Sequence, residues 1–111
     1  MIKKLKISPE SAKEILKGNA KTCIASDDVM VNGNPITIME RVTYPDFPEY
    51  SGWTFLSGYE IQEDLDNVNQ SGQYPLNLLA NYDEKIIKFL GAPTGRRIVF
   101  DENNTPNVTH N

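Results

Sequence analysis

Apolar residues recur along this chain in short groups, and the spacing within each group predicts its element. Ala12, Ile15 and Leu16 form a helical stripe behind Ser8-Pro9-Glu10-Ser11, where Ser8 suits the N-cap and Pro9 the first helical position, with Gly18-Asn19 as a C-cap. The run Thr22–Ser26 reads as a buried strand. Residues 28–31 then run into Asn32-Gly33-Asn34-Pro35, and Asn-Gly is the favoured pair for a tight hairpin because both positions must accept positive φ. Residues 36–43, alternating Ile36 and Ile38 with Thr37 and Met39, make the second arm.

Pro45, Asp46, Pro48 and Glu49 break the pattern, so 44–51 is predicted as a loop carrying Phe47 and Tyr50. Residues 53–56 read as a strand, with Trp53 and Phe55 on one face and glycines at 52 and 58 to turn the chain. The acidic stretch from Glu60 suits a short helix, since Ile61 and Leu65 are four apart, and 67–72 is polar and turn-forming. Pro75, Leu76, Leu79, Tyr82, Ile86 and Leu90 recur at helical spacing, broken at 81–83 where Asp83 can cap a second helix. Gly91-Ala92-Pro93 ends it, 96–100 is a last strand, and 101–111 has the composition of a frayed tail. The sum is an α+β fold: a single antiparallel or mixed sheet of about five short strands with about three short helices packed on one face.

At 111 residues the chain fits a single domain spanning 1–111. No apolar run is long enough to span a bilayer. The lysines near the start are followed by Ser8-Pro9-Glu10 where a secretory apolar segment would lie, which predicts a cytoplasmic protein with no membrane partner. The lone Cys23, in an apolar run, excludes an internal disulfide and reads as a small buried hydrophobe.

Charge is unevenly divided. Residues 1–21 carry six lysines against Glu10 and Glu14, a balance of +4, so the rest of a chain of net charge −4 carries −8. Glu60, Glu63, Asp64 and Asp66 fall within seven residues without an intervening lysine or arginine. Such a cluster repels phosphate and attracts a cationic partner, and the early lysines have no aromatic residues among them for stacking on bases. A nucleic-acid role is therefore not expected.

Enzyme signatures are missing from the pattern. The only histidine, His110, is the penultimate residue, and no glycine spacing matches a phosphate-binding loop. Glu60 and Asp64 could share a helical face and hold a hard cation or act as acid and base, but the spacing lacks the regular oxygen ligands of a calcium loop. No catalytic residue, metal ligand or cofactor is assigned. The aromatic set Phe47, Tyr50, Trp53, Tyr59 and Tyr74 beside acids has the composition of a protein interface. Ser51, Gly52, Trp53, Tyr59, Glu60, Glu63, Asp64 and Asp66 are the candidate partner-binding residues.

Several blocks occur together in order: Cys23-Ile24-Ala25-Ser26-Asp27, Ser51-Gly52-Trp53-Thr54-Phe55, Ser57-Gly58-Tyr59-Glu60, residues 69–74, and Leu76-Asn77-Leu78-Leu79-Ala80-Asn81-Tyr82-Asp83, followed by Leu90, Pro93 and Gly95. Across about residues 20–101 this order and spacing resembles a bacterial family first catalogued as a domain of unknown function and later grouped as immunity protein thirty-three, a type found in polymorphic toxin systems. The family pattern has an acid before Ser-Gly-Trp and often one after Ser-Gly. Here Tyr50 and Tyr59 stand in those places, and Glu60 is the family acid that remains. The resemblance implies a small non-enzymatic cytosolic protein that binds and neutralises a toxin, a basic one by the charge argument. The alternative is a free-standing binder of a small ligand or housekeeping partner.

Overall fold

The computed structural model describes residues 4–18, 21–42, 50–60 and 70–110. The described strands are β1 (Thr22–Ser26), β2 (Ile38–Arg41), β3 (Tyr50–Leu56), β4 (Ser71–Pro75), β5 (Arg96–Phe100) and β6 (Pro106–His110). They form one six-stranded sheet in the order β4-β1-β3-β2-β5-β6. β1 and β3 run parallel and every other neighbouring pair is antiparallel, so the sheet is mixed. Two α-helical segments, α1 (Asp27–Met30) and α2 (Leu76–Tyr82), and two 3-10 helices (Pro9–Ser11 and Glu84–Phe89) complete the described elements. The α+β class read from the sequence is what the molecule adopts, with one strand more than expected.

Cross-strand register explains the core. Ile98 lies opposite Met39, Met39 opposite Phe55, and Phe55 beside Ala25, so these four side chains share one face of four adjacent strands. All four are wholly buried, together with Trp53, Leu79 and Ile86. Leu76, Leu78, Leu79 and Ala80 make the buried part of α2. Small residues at 23 and 25 let Trp53 and Phe55 fill the volume over the parallel pair, where the rings stack at 6.2 Å. Burial also raises the Cys23 thiol far above its ordinary value, as expected for an inert packing residue.

Gly52 explains an irregularity at the centre of the sheet. The β1–β3 register slips between Thr22 and Ile24, and Gly52 sits there at φ +90°. A Cβ at this position would lie 2.2 Å from the Val42 carbonyl oxygen, which only glycine avoids.

Several local expectations are corrected. The segment after Ser8 does not continue as a helix; a single 3-10 turn ends at Ser11, and Ser8 makes no side-chain cap. Asn77 and Asn81 of α2 take the peptide groups of Lys13, Ile15 and Leu16, holding that stretch as an irregular strap. The predicted Asn-Gly hairpin is absent because 28–31 belongs to a helical turn. Asp28 Oδ1 draws in the side-chain amides of Asn32 (2.8 Å) and Asn34 (2.9 Å), a local polar closure that competes with strand pairing.

Ser71 and Gly72, read as turn, and Pro75, read with the following helix, belong instead to the edge strand β4, where Gly72 and Pro75 are tolerated because only β1 must be paired. Residues 106–110, read as a frayed tail, pair along β5. Asp101 Oδ1 accepts from the amides of Asn103 and Thr105, and Asn104 takes the left-handed conformation at φ +62°, which closes a β5–β6 hairpin. Of the loop predicted at 44–51, Tyr50 and Ser51 instead begin β3, where they lie alongside β1; residues 44–49 and the predicted acidic helix beyond Glu60 lie outside the described residues.

Candidate functional site

The turn after β3 gathers the most polar chemistry among the described residues. The Glu60 carboxylate folds back onto the turn. Glu60 Oε2 accepts from the Ser57 amide (2.8 Å) and Ser26 hydroxyl (2.5 Å), and Oε1 accepts from the Gly58 amide (2.9 Å). The Ser57 hydroxyl lies 2.5 Å from Asp28 Oδ2 and 3.1 Å from Glu60 Oε2, and its oxygen accepts from the Tyr59 amide (3.1 Å). With a single proton to give, Ser57 Oγ donates along the shorter contact to Asp28.

Both carboxylates are held below their ordinary range. For Asp28 the hydrogen bond from Ser57 is the largest cause, followed by that from Asn32. For Glu60 partial burial acts to raise the value, but donation from Ser26 and from backbone amides of the turn outweighs it. Ser57 is 1% exposed, and carboxylates kept ionised by several donors are poor bases, so the Ser57 hydroxyl is not an activated nucleophile. The network is a lock for a turn.

What the lock presents is Tyr59, which is 75% exposed. Gly58 permits the conformation: it has φ +91°, and a Cβ there would meet Thr37 Oγ1 at 2.6 Å. Tyr59 stands between two open grooves. One, about 110 Å³, is lined by Asp27, Asp28, Glu60 and Gln70 among others; the second, about 260 Å³, by Thr37, Phe100, Asp101 and Glu102. Neither groove has a lysine or arginine in its lining.

The other candidates lie elsewhere. Ser51, Gly52 and Trp53 are buried, so no partner can reach the Trp53 ring in the folded chain. Trp53 Nε1 donates to the Leu90 carbonyl (3.1 Å). Arg41 packs over the indole at 5.6 Å, with Nε donating to Ser51 O (3.0 Å) and Nη1 to Ala92 O (2.6 Å). Together they pin the 90–92 turn to the sheet. Glu63, Asp64 and Asp66 lie outside the described residues, as does Phe47. Tyr50 and Tyr74 are half-buried, and Tyr74 lies across Gly72.

Glu40, Arg41 and Asp83 do not converge on a pocket. Glu40 pairs with Arg97 across the sheet (2.6 Å), Arg41 is engaged with carbonyls, and Asp83 pairs with Lys85 (2.6 Å). A hollow of about 330 Å³ beside Tyr82 has Asp83 and Lys85 among its polar members, already spent on each other. Among the described residues no group of three or more His, Cys, Asp or Glu side chains is placed to hold a metal, and no helix is long and apolar enough to cross a membrane.

Sequence reasoning missed Ser26, Asp28 and Ser57 as members of the lock. The available signal was Ser57 three residues before Glu60, the spacing of a carboxylate that returns to cap its own turn.

A profile of the immunity protein Imm33 domain matches residues 23–108. The chain therefore belongs to the Imm33 immunity protein family. No curated protein and no solved structure matches it. The matched stretch includes the lock, the Trp53–Arg41 clamp and α2, so the blocks that carry the resemblance are largely the ones that fix backbone geometry.

Proposed function

We infer that this protein is a non-enzymatic, cytosolic immunity protein, acting as a single domain that neutralises a bacterial toxin by direct contact through the surface around Tyr59. The observation that carries this reading is an aromatic side chain 75% exposed on a turn whose carboxylate, serine hydroxyl and amides at 57–59 are tied down. Holding a large side chain in water has no folding benefit, whereas a rigid, preorganised aromatic anchor lowers the entropic cost of docking. Family membership supports a toxin as the partner. The acid-lined grooves on both sides, with Glu63, Asp64 and Asp66 following in sequence, favour a basic surface such as a nuclease toxin must turn toward its own substrate.

The test begins with the product of the neighbouring gene, co-expressed with this chain and recovered by pull-down. Tyr59→Ala is expected to leave the melting temperature unchanged and to weaken toxin binding by at least about tenfold, the usual scale of an interface anchor. Replacing Glu63, Asp64 and Glu102 with lysine is expected to slow association far more than it speeds dissociation, and the wild-type on-rate should fall steeply with salt. A toxin complex indifferent to Tyr59→Ala would remove this surface from the account.

A further inference from the structure

We propose that the α2 face bearing Asn77, Asn81 and Tyr82 is a peptide-binding site that reads main chain, filled in this structure by the protein's own strap, residues 4–18, and open to an extended segment of a protein partner when the strap lifts. The contacts define the ligand class. Asn77 Oδ1 accepts from the amides of Ile15 and Leu16 (both 2.8 Å), while its Nδ2 donates to the Lys13 carbonyl (2.9 Å). Asn81 makes a two-way contact with the backbone of the same residue, accepting from Lys13 N and donating to Lys13 O, each at 2.9 Å. At the far end of the strap, Tyr82 Oη accepts from Ile7 N (2.9 Å) and donates to Met30 O (2.6 Å), and Lys6 N donates to the same Met30 carbonyl.

Apart from the Tyr82–Met30 bond, which holds the tyrosine in place, these bonds address peptide groups of the strap, and none addresses its side chains. A site built in this way accepts any segment that can lie extended with apolar residues where Leu5, Ile7, Ala12 and Leu16 pack against the core. The occupant is shallowly held. None of residues 4–18 is buried, and most are exposed, so the strap belongs to the low-stability end of the molecule and can open without unfolding the sheet. It also lies ahead of the stretch that matches the family, whereas the two asparagines and Tyr82 lie inside it.

The probe is a fluorescein-labelled synthetic peptide of residues 4–18, followed by anisotropy. In the full chain carrying Ile7→Asp and Leu16→Asp the tethered strap is weakened while α2 is untouched. The peptide is expected to bind this variant saturably and to bind the unaltered chain at least about tenfold more weakly, because a tethered competitor acts at high effective concentration. Adding Asn77→Ala and Asn81→Ala to the weakened chain is expected to cost a further factor of at least about ten, from the loss of several bonds to peptide groups.

The proposal is overturned if the peptide does not bind the weakened variant while the amides of β1–β6 stay protected from exchange, or if it binds regardless of the asparagines. Should the weakened variant fail to fold, a protease site placed at residues 19–20 allows the strap to be cut after folding. Labelled peptide should then replace the cut strap faster than the sheet amides exchange. Retention of the cut strap until global unfolding would refute the idea. Toxin binding is not the readout, so this site and the Tyr59 surface can fail separately.

Discussion

Replacing Glu60 with glutamine tests the central physical claim about the site, that the carboxylate is a lock. The substitution keeps the shape and removes one acceptor. In the folded chain Oε2 receives the Ser57 amide and the Ser26 hydroxyl, and Oε1 the Gly58 amide. Whichever way the new amide is turned, its NH2 group faces a backbone N–H, so at least one charge-assisted bond becomes a donor–donor contact. Such bonds contribute about 1.5–3 kcal/mol each, and partial exposure of Glu60 lets water recover part of this, so a loss of about 1–2 kcal/mol is expected. For a chain of this size that lowers the melting temperature by roughly 3–8 °C.

Urea denaturation at pH 7 reads the free energy, with Glu102→Gln as the control. Glu102 is an exposed acid of the adjacent groove, and its change is expected to fall within about 0.5 kcal/mol of zero. The pH dependence supplies a second reading. Because the folded-state values of Asp28 and Glu60 are depressed, both groups stabilise the fold above their ordinary values of 3.8 and 4.5, and this is lost as pH falls through those values toward the folded ones. The Glu60→Gln chain should therefore show a shallower loss of stability across about pH 5 to 3. Equal, negligible effects of Glu60→Gln and Glu102→Gln at pH 7 would refute the lock.

Three other outcomes follow from the packing. Gly52→Ala places a Cβ against the Val42 carbonyl at a left-handed position, so a loss of about 3 kcal/mol or more is expected by chemical denaturation. Cys23 should react with a thiol reagent only in denaturant, since burial both shields the sulfur and keeps it protonated; rapid modification of the native chain would contradict its placement in the core. Asn104→Ala should cost about 1 kcal/mol in a melt and Asn104→Gly almost nothing, because the turn needs a residue that accepts φ +62°.

Where the apolar pattern was strong, the sequence announced the element. The strands Thr22–Ser26 and Arg96–Phe100 are found as read, and the helical pattern begun at Pro75 is found from Leu76 to Tyr82 with Asp83 at its break, capping a 3-10 helix. The elements that escaped notice owe their conformation to partners remote in sequence. β4 is Ser-Gly-Gln-Tyr-Pro, a poor strand by composition, and exists because β1 needs a neighbour on its outer side. The strap carries a good helix-start signal, overruled by two asparagines more than sixty residues away. At the site, Tyr59 and Glu60 were legible as candidates, but Trp53 could not be told from an interface residue, since a core tryptophan and an anchoring one look alike until burial is known.

The single parallel pairing in the sheet governs when the molecule can become complete during synthesis. β1 is made before any other strand, yet it sits between β3 and β4, so it stays without hydrogen-bonding neighbours until residues 50–75 have left the ribosome. β2 gains β3 on one side soon after it is made, but its other flank waits for 96–100. The only strands adjacent in both sequence and space at the outer end, β5 and β6, emerge after all the others. The sheet is therefore completed only late in translation, and a stall before residue 100 leaves β2 with a bare flank able to pair with other proteins.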